Sequence, residues 1–426
     1  MDRPIRYAVV GTGYRAELYI HALAGKYRDK HQLVCFCDSN KNRMEFHNRV
    51  LQERFQHPAI PIYAPKDFKK MIQQEQVDQV IVVSRDDTHH EYIIEAMKSG
   101  CNVITEKPMT IDEKKCQKIL DTLKSTKQNV RVTFNYRYGP ARVLVKEQLI
   151  REVIGEIKSV HFEWLLDTRH GADYFRRWHR RREHSGSLLV HKATHHFDLV
   201  NWWLQSTPTT VFAKGGLFFY GNPQKSGGER CQDCTITQEC PFYMDLSKDP
   251  TLEGLYLKAE KEDGYYRDQC VFSRQINIFD DMHLLVQYRN GATMTYYLNA
   301  FSPYEGFHIS FTGTKGRMEF REYETVYKKD PATGFVRRTV LSQTYEVKIW
   351  PHFNEPYELK VTAETSSGHG GGDVRMLEDL FGIGGKDPYA RAASAVDGAY
   401  SILTGIAAFK SIQKKIPVDV RKLIRI

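Results

Sequence analysis

The passage that most constrains this chain runs from an apolar stretch at residues 5–11 into Gly11-Thr12-Gly13-Tyr14-Arg15-Ala16. Apolar, β-branched residues predict a buried strand, and the pattern G-x-G-x-x-G/A after it opens a helix over residues 16–24. Gly11 permits the tight turn, Gly13 lets backbone approach a pyrophosphate, and Ala16 lets the helix lie close on the strand. Thr12, Tyr14 and Arg15 are carried between them, within reach of the same ligand. The helix N-terminus offers unpaired N–H groups and a positive dipole end to the phosphates. A second run, residues 33–38, ends on Asp38, at the spacing where a carboxylate holds the hydroxyls of an adenosine ribose. Capping the next helix is the other use open to Asp38. A carboxylate there disfavours a 2′-phosphate and so favours NAD, while nearby Lys41 and Arg43 leave NADP open.

The alternation continues with strand-like runs at 79–83, 102–105 and 131–134, and helical stretches at 41–54, 65–73, 90–98 and 112–125. Apolar strands alternating with helices predict a parallel sheet covered on both faces, an α/β doubly wound domain over residues 1–138. After Gly139 the rhythm changes: one helix at 140–152, strand-like runs from 209 to 361, and a helical stretch at 373–415. Strands grouped in this way predict an α+β domain, residues 139–426, on a large, open, mainly antiparallel sheet. Residues 221–270 form an irregular, Cys-bearing insertion within it.

A hydrophobic fraction of 41% is enough for sizeable cores. The net charge of +9 is spread along the chain, with one cluster at Arg176, Arg177, Arg180, Arg181 and Arg182, and no nucleic-acid-binding motif accompanies it. No apolar run approaches the ~20 residues of a membrane helix. No apolar leader precedes the first strand, which predicts a cytoplasmic protein. In that reducing setting Cys35, Cys37, Cys101 and Cys116 read as buried small side chains. Cys231-x2-Cys234-x5-Cys240 with Cys270 predicts a structural zinc site, with free thiols, a disulfide or an iron–sulfur cluster as alternatives. An exposed sheet face predicts pairing of copies into a dimer or tetramer.

GTGYRA, then CDSN, then Glu106-Lys107-Pro108 after the fifth strand, then FNYRY, together resemble the Gfo/Idh/MocA oxidoreductases. That family contains glucose–fructose oxidoreductase, inositol dehydrogenase and many sugar dehydrogenases. The resemblance runs in order through the whole chain, and it implies a Rossmann domain, a second domain with an open sheet, and a sugar, polyol or related small-molecule substrate. It places Glu106 and Lys107 beside nicotinamide and substrate, with the lysine ammonium on the reacting oxygen. Ser84, Asp87, His89 and His90 follow the fourth strand at the edge where ligands bind, and Ser84 and His90 are taken as cofactor contacts.

The densest chemistry lies at 184–203, where His191, His195, His196 and Asp198 fall within eight positions. The family's D-x-x-x-H pattern maps its histidine onto His195, whereas the position of its aspartate holds His191, with Lys192 next to it. A relay of Lys107, His195 and His191 is the expectation. Asp198 either orients a histidine or caps the helix, and His196 is a substrate contact or a core residue. Arg177 and Trp178 could take an anionic group of the substrate, as guanidinium matches carboxylate. Tyr138 and His369 complete the expected substrate set, and Asp373 is expected to cap the last helix. The leading expectation is an NAD(P)-dependent oxidoreductase acting on a secondary alcohol of a sugar, glycoside or cyclitol. An NAD-dependent glycoside hydrolase working through transient oxidation, and a non-catalytic NAD-sensing or scaffold protein, are its rivals.

Overall fold

A computed structural model describes residues 3–329, 331, 336–361, 369–382 and 384–425. Strands β1 (Ile5–Val10), β2 (His31–Cys37), β3 (Ile62–Tyr63), β4 (Gln79–Val82), β5 (Asn102–Thr105) and β6 (Val130–Val132) pair in parallel, in the order β6-β5-β4-β1-β2-β3. Ala8, Val9, Val10, Val80, Ile81 and Val82 are buried on both faces of this sheet by the helices between the strands. The strand order reverses between β1 and β4, which opens a crevice at the carboxyl ends of the strands. β3 is only two residues long and leaves no periodic signal in the sequence.

The second sheet contains β7 (Ile157–Asp167), β8 (Pro208–Gly216), β9 (Asp281–Tyr288), β10 (Thr293–Ser302), β11 (Tyr304–Gly313), β12 (Gly316–Lys329), β13 (Val336–Pro351) and β14 (Tyr357–Leu359). A late strand, β16 (Val418–Asp419), completes its order β14-β13-β12-β11-β7-β10-β9-β8-β16. Its pairs are antiparallel except β7 with β10. In β9, Met282, Leu284, Val286 and Tyr288 face the core while His283, Leu285 and Gln287 face out, so one side of the sheet is open. The fold is therefore α/β, a Rossmann-type parallel sheet joined to a mainly antiparallel one.

Two late elements tie the halves together. β15 (Ala393–Ser394) adds antiparallel to the edge of β6 in the first sheet. Helix Ala395–Lys414 then packs on both β6 and β8. A Cβ on its Gly405 would stand 2.1 Å from the Leu189 carbonyl oxygen, so only glycine lets this helix press on the segment leading to His191. The expected helical stretch 373–415 is in fact two helices, Gly372–Phe381 and Ala395–Lys414, because Gly382, Gly384, Gly385 and Pro388 break it. No helix among the described residues is long and apolar enough to cross a membrane.

The insertion is closed at its base by Cys231 N–H to the Asp268 carbonyl and Cys270 N–H to the Glu229 carbonyl, both 2.9 Å. Its four thiols line one small cavity. Among the described residues, however, no group of three or more His, Cys, Asp or Glu side chains is placed to hold a metal, and all eight cysteines are free. The expected zinc site at Cys231, Cys234, Cys240 and Cys270 is thus corrected. The Arg176 guanidinium lies 4.0 Å from Cys231 Sγ. Ion pairs order the insertion instead: Arg230 with Glu260 at 2.8 Å and with Asp268 at 2.9 Å.

Candidate functional site

The crevice is a cleft of about 590 Å³ between the two domains. One end is built by the turn after β1. Gly11 has φ +85°, and a Cβ there would lie 2.5 Å from Ser84 backbone atoms, so β1 and β4 close together only around glycine. Asp38 accepts from Thr12 N–H at 2.5 Å, from Thr12 Oγ1 at 2.8 Å and from Asn40 N–H at 2.8 Å, which fixes its carboxylate on the cleft wall. The helix cap is Asn40, whose side chain accepts from Arg43 N–H, so Asp38 is left for the cleft. These features suit a dinucleotide: a backbone cradle at Gly11 and Gly13 for the pyrophosphate and a carboxylate for the ribose.

Arg15 ties the site to distant sequence. Its guanidinium reaches Glu106 at 2.6 Å and Asp373 at 2.9 Å, and Tyr19 OH donates to the same Glu106. Asp373 therefore anchors its helix to the first domain and does not cap it. Burial would raise the Glu106 carboxyl, but Arg15 and Lys107 hold it below its usual range.

Lys107 follows β5 and Glu106, and its Nζ donates to the His191 carbonyl at 3.3 Å. Burial pushes its ammonium down to about 8, against the opposing pull of Glu106 and Asp86. His191 Nδ1 meets Asp86 Oδ2 at 2.5 Å. Burial first, then the nearby cations Lys107, Arg177 and Lys192, hold His191 well below its usual pKa, so its ring is neutral. Burial raises the Asp86 carboxyl, partly opposed by Lys107. A carboxyl group from the loop after β4, Asp86, thus faces the imidazole at 191 across the cleft.

His195 lines the same cleft, its ring stacked on Tyr136 at 4.2 Å. Lys192 Nζ donates to the Tyr136 hydroxyl at 3.3 Å and lies over the Trp164 ring. His170, held by Glu305 at 2.7 Å, and Tyr174 line the wall beside them. Arg177, Trp178 and His179 approach from the segment after helix Thr168–Arg176. Arg177 and Tyr265 line the cleft together. Burial would raise Asp173, but Arg267, Arg177 and Arg176 share it and hold its carboxyl below the usual range.

Gly11, Gly13, Tyr14, Arg15, Asp38, Ser84, Glu106, Lys107, Arg177, Trp178, His191, Lys192 and His195 therefore share one cleft, with Thr12 behind Asp38. Other expected residues stand elsewhere. His90 is half-buried on helix His89–Lys98, off the cleft, while its neighbour His89 lines it and bonds the Ser84 and Pro108 carbonyls. Tyr138 bonds Arg131 and Asp379 away from the cleft. His196 is a core residue, bonded to Tyr296 OH at 2.6 Å and stacked on Trp164. Asp198 neither caps its helix nor orients a histidine but pairs with buried Arg137 at 2.6 Å. The His369 side chain lies outside the described residues. The sequence reading missed Asp86, Tyr136, His170, Tyr174, Tyr256 and Tyr265. Asp86 sits in the acidic loop after β4, where its position at the ligand edge was the available signal.

A glycine-turn cradle and a ribose carboxylate facing a lysine–histidine chamber define a dinucleotide-dependent oxidoreductase architecture. Residues 5–134 match the pattern of the oxidoreductase family's NAD-binding Rossmann fold, and residues 146–420 match that family's C-terminal alpha/beta domain. A Bacillus subtilis (strain 168) protein provisionally named an oxidoreductase, YteT, is 35% identical over 97% of each chain. The scyllo-inositol 2-dehydrogenase (NAD(+)) of the same bacterium is 25% identical over 51% of this chain and 59% of its own. An Agrobacterium radiobacter oxidoreductase, solved with NAD+, L-tartaric acid and magnesium, shares the fold at TM-score 0.64 and 15% identity over 99% of both chains. The chain belongs to the Gfo/Idh/MocA oxidoreductase family.

Proposed function

We propose that this chain is an NAD-dependent oxidoreductase that oxidises a secondary alcohol of a sugar, glycoside or cyclitol, or reduces the matching ketone. The observation that carries this reading is the buried Lys107 amine, held to about 8 beside His191 and Asp86 within the cleft. When bound, the nicotinamide takes or returns the hydride. Oxidation also frees the proton of the substrate hydroxyl. Neutral Lys107 accepts it in that direction, and the ammonium returns it in the other. His191, fixed by Asp86, and His195, fixed against Tyr136, frame the space where the carbinol carbon must stand. His170, Tyr174, Lys192 and His179 offer further polar atoms to the substrate's other hydroxyls. Gly11, Gly13, Asp38 and Ser84 hold the cofactor.

The test is a panel of sugars, polyols and aryl glycosides with added NAD, following both NADH absorbance and released aglycone. Net NADH formation with a polyhydroxylated alcohol is expected. Aglycone release without NADH build-up would replace this reading by redox-neutral hydrolysis. Inertness toward the whole panel in protein shown to bind NAD would overturn it. The same reading takes two domains, 1–138 and 139–426, and pairing of copies through the open face of the larger sheet.

A further inference from the structure

We propose that the insertion forms a strap over the adenosine end of the dinucleotide site, and that its Glu262 and Asp263 make this chain refuse NADP. The first half of a strap is seen in contacts made across more than two hundred residues of sequence. Tyr14 N–H, in the glycine turn, donates to the Tyr256 hydroxyl at 3.0 Å. Asn40 Nδ2 donates to the Ala259 carbonyl at 2.9 Å, and Arg43 Nε to the Leu255 carbonyl at 3.0 Å. Gly254 lies so close to the Phe46 ring that a Cβ there would stand 2.5 Å from it. Behind these contacts Arg267 pairs with Asp173 of the second domain, so the strap is anchored on both sides of the cleft.

The selectivity follows from which groups the strap consumes. A 2′-phosphate on the adenosine ribose would project toward the turn after β2, where NADP is ordinarily met by an arginine and by helix N–H groups. Both kinds of group are present here, and the strap engages both. Arg43 pairs with Asp263 at 2.6 Å, with side chains only 10% and 17% exposed. The N–H groups of Lys41 and Asn42, at the start of helix Lys41–Phe55, donate to the two Glu262 carboxylate oxygens at 2.7 and 3.0 Å. Glu262 thus occupies the anion position of the helix N-terminus. A 2′-phosphate would meet three carboxylates there, Asp38, Glu262 and Asp263, while Arg43 is engaged by Asp263 and the exposed Lys41 Nζ stands 3.2 Å from Glu45. NAD brings only hydroxyls to the same place.

This inference rests on the cofactor part of the proposed function. Its test measures binding without any sugar, so failure of the sugar reading leaves it standing. Dissociation constants for NADH and NADPH are measured by fluorescence on the full chain and on Glu262→Gln, Asp263→Asn and the double variant. The unaltered chain is expected to favour NADH, and the double variant to narrow the ratio by about tenfold or more, because a like-charge juxtaposition is removed. Adding Arg43→Gln to the double variant should take the gained NADPH affinity away again. Glu262 is exposed, so its neutral variant carries the test alone should Asp263→Asn unfold. A strap with a merely structural role would weaken both nucleotides alike. An unchanged ratio in folded Glu262→Gln and double variants, or equal binding of both nucleotides by the unaltered chain, overturns the proposal.

Discussion

In the proposed function Lys107, a residue type common on surfaces, carries the proton from a buried position. Burial lowers it to about 8, and the carboxylates of Glu106 and Asp86 keep it from falling further. Oxidation needs the neutral amine, so its rate should rise with pH through about 8, while reduction should fall through the same range. Lys107→Ala should lose about 10²–10⁴-fold in turnover with little change in NADH binding measured by fluorescence. An alanine variant with near-full turnover would remove Lys107 from the relay. Asp86 supports the ammonium form, so Asp86→Asn should move the rising limb of the oxidation profile to lower pH. A limb that stays in place would mean that Asp86 only positions His191. His195→Ala and His191→Ala separate the two imidazoles by the size of their turnover loss. At this scale motif context drew out Lys107, His191 and His195, which line one cleft. It did not show Asp86, since a loop with adjacent aspartates gives no sign of which one faces a histidine 105 residues away.

At the level of elements, legibility followed burial. β1, β2, β4 and β5 are covered on both faces and read as continuous apolar runs. β3 and β15, each two residues long, carry no pattern and are set by neighbouring strands. The insertion was visible as an irregular segment, but its placement over the glycine turn rests on contacts such as Tyr14 with Tyr256, which leave no local trace. Helix Ala395–Lys414 offers a direct check. Gly405→Val places branched carbon against the Leu189 carbonyl, and overpacking of this kind typically costs about 1–3 kcal/mol. A clear drop in Tm is expected, with a loss of turnover in the folded fraction because Leu188–His191 must shift. Unchanged melting would show that the helix has room to move.

Over the whole molecule, the class of each sheet was legible and the detailed pairing was not. Grouped strand-like runs predict an antiparallel sheet, yet the parallel pairing of β7 with β10 joins segments more than a hundred residues apart. The open face of this sheet exposes Leu285 at 47% and Trp350 at 41% on one side, and copies are expected to meet there. Sedimentation should show a dimer or tetramer, and Leu285→Arg with Trp350→Glu should shift it toward monomer. A monomer in the unaltered chain would count against that face.

The return of β15 to the edge of β6 bears on the order in which a ribosome can make this protein. Residues 1–138 carry the glycine turn, Asp38 and Lys107, but the first sheet gains its last strand only when residue 394 has emerged. Arg15 waits for Asp373, and the turn after β2 waits for Glu262 and Asp263, to find their partners. A nascent chain therefore holds Lys107 long before it holds a finished place for the nucleotide, and the cleft is complete only near the end of synthesis.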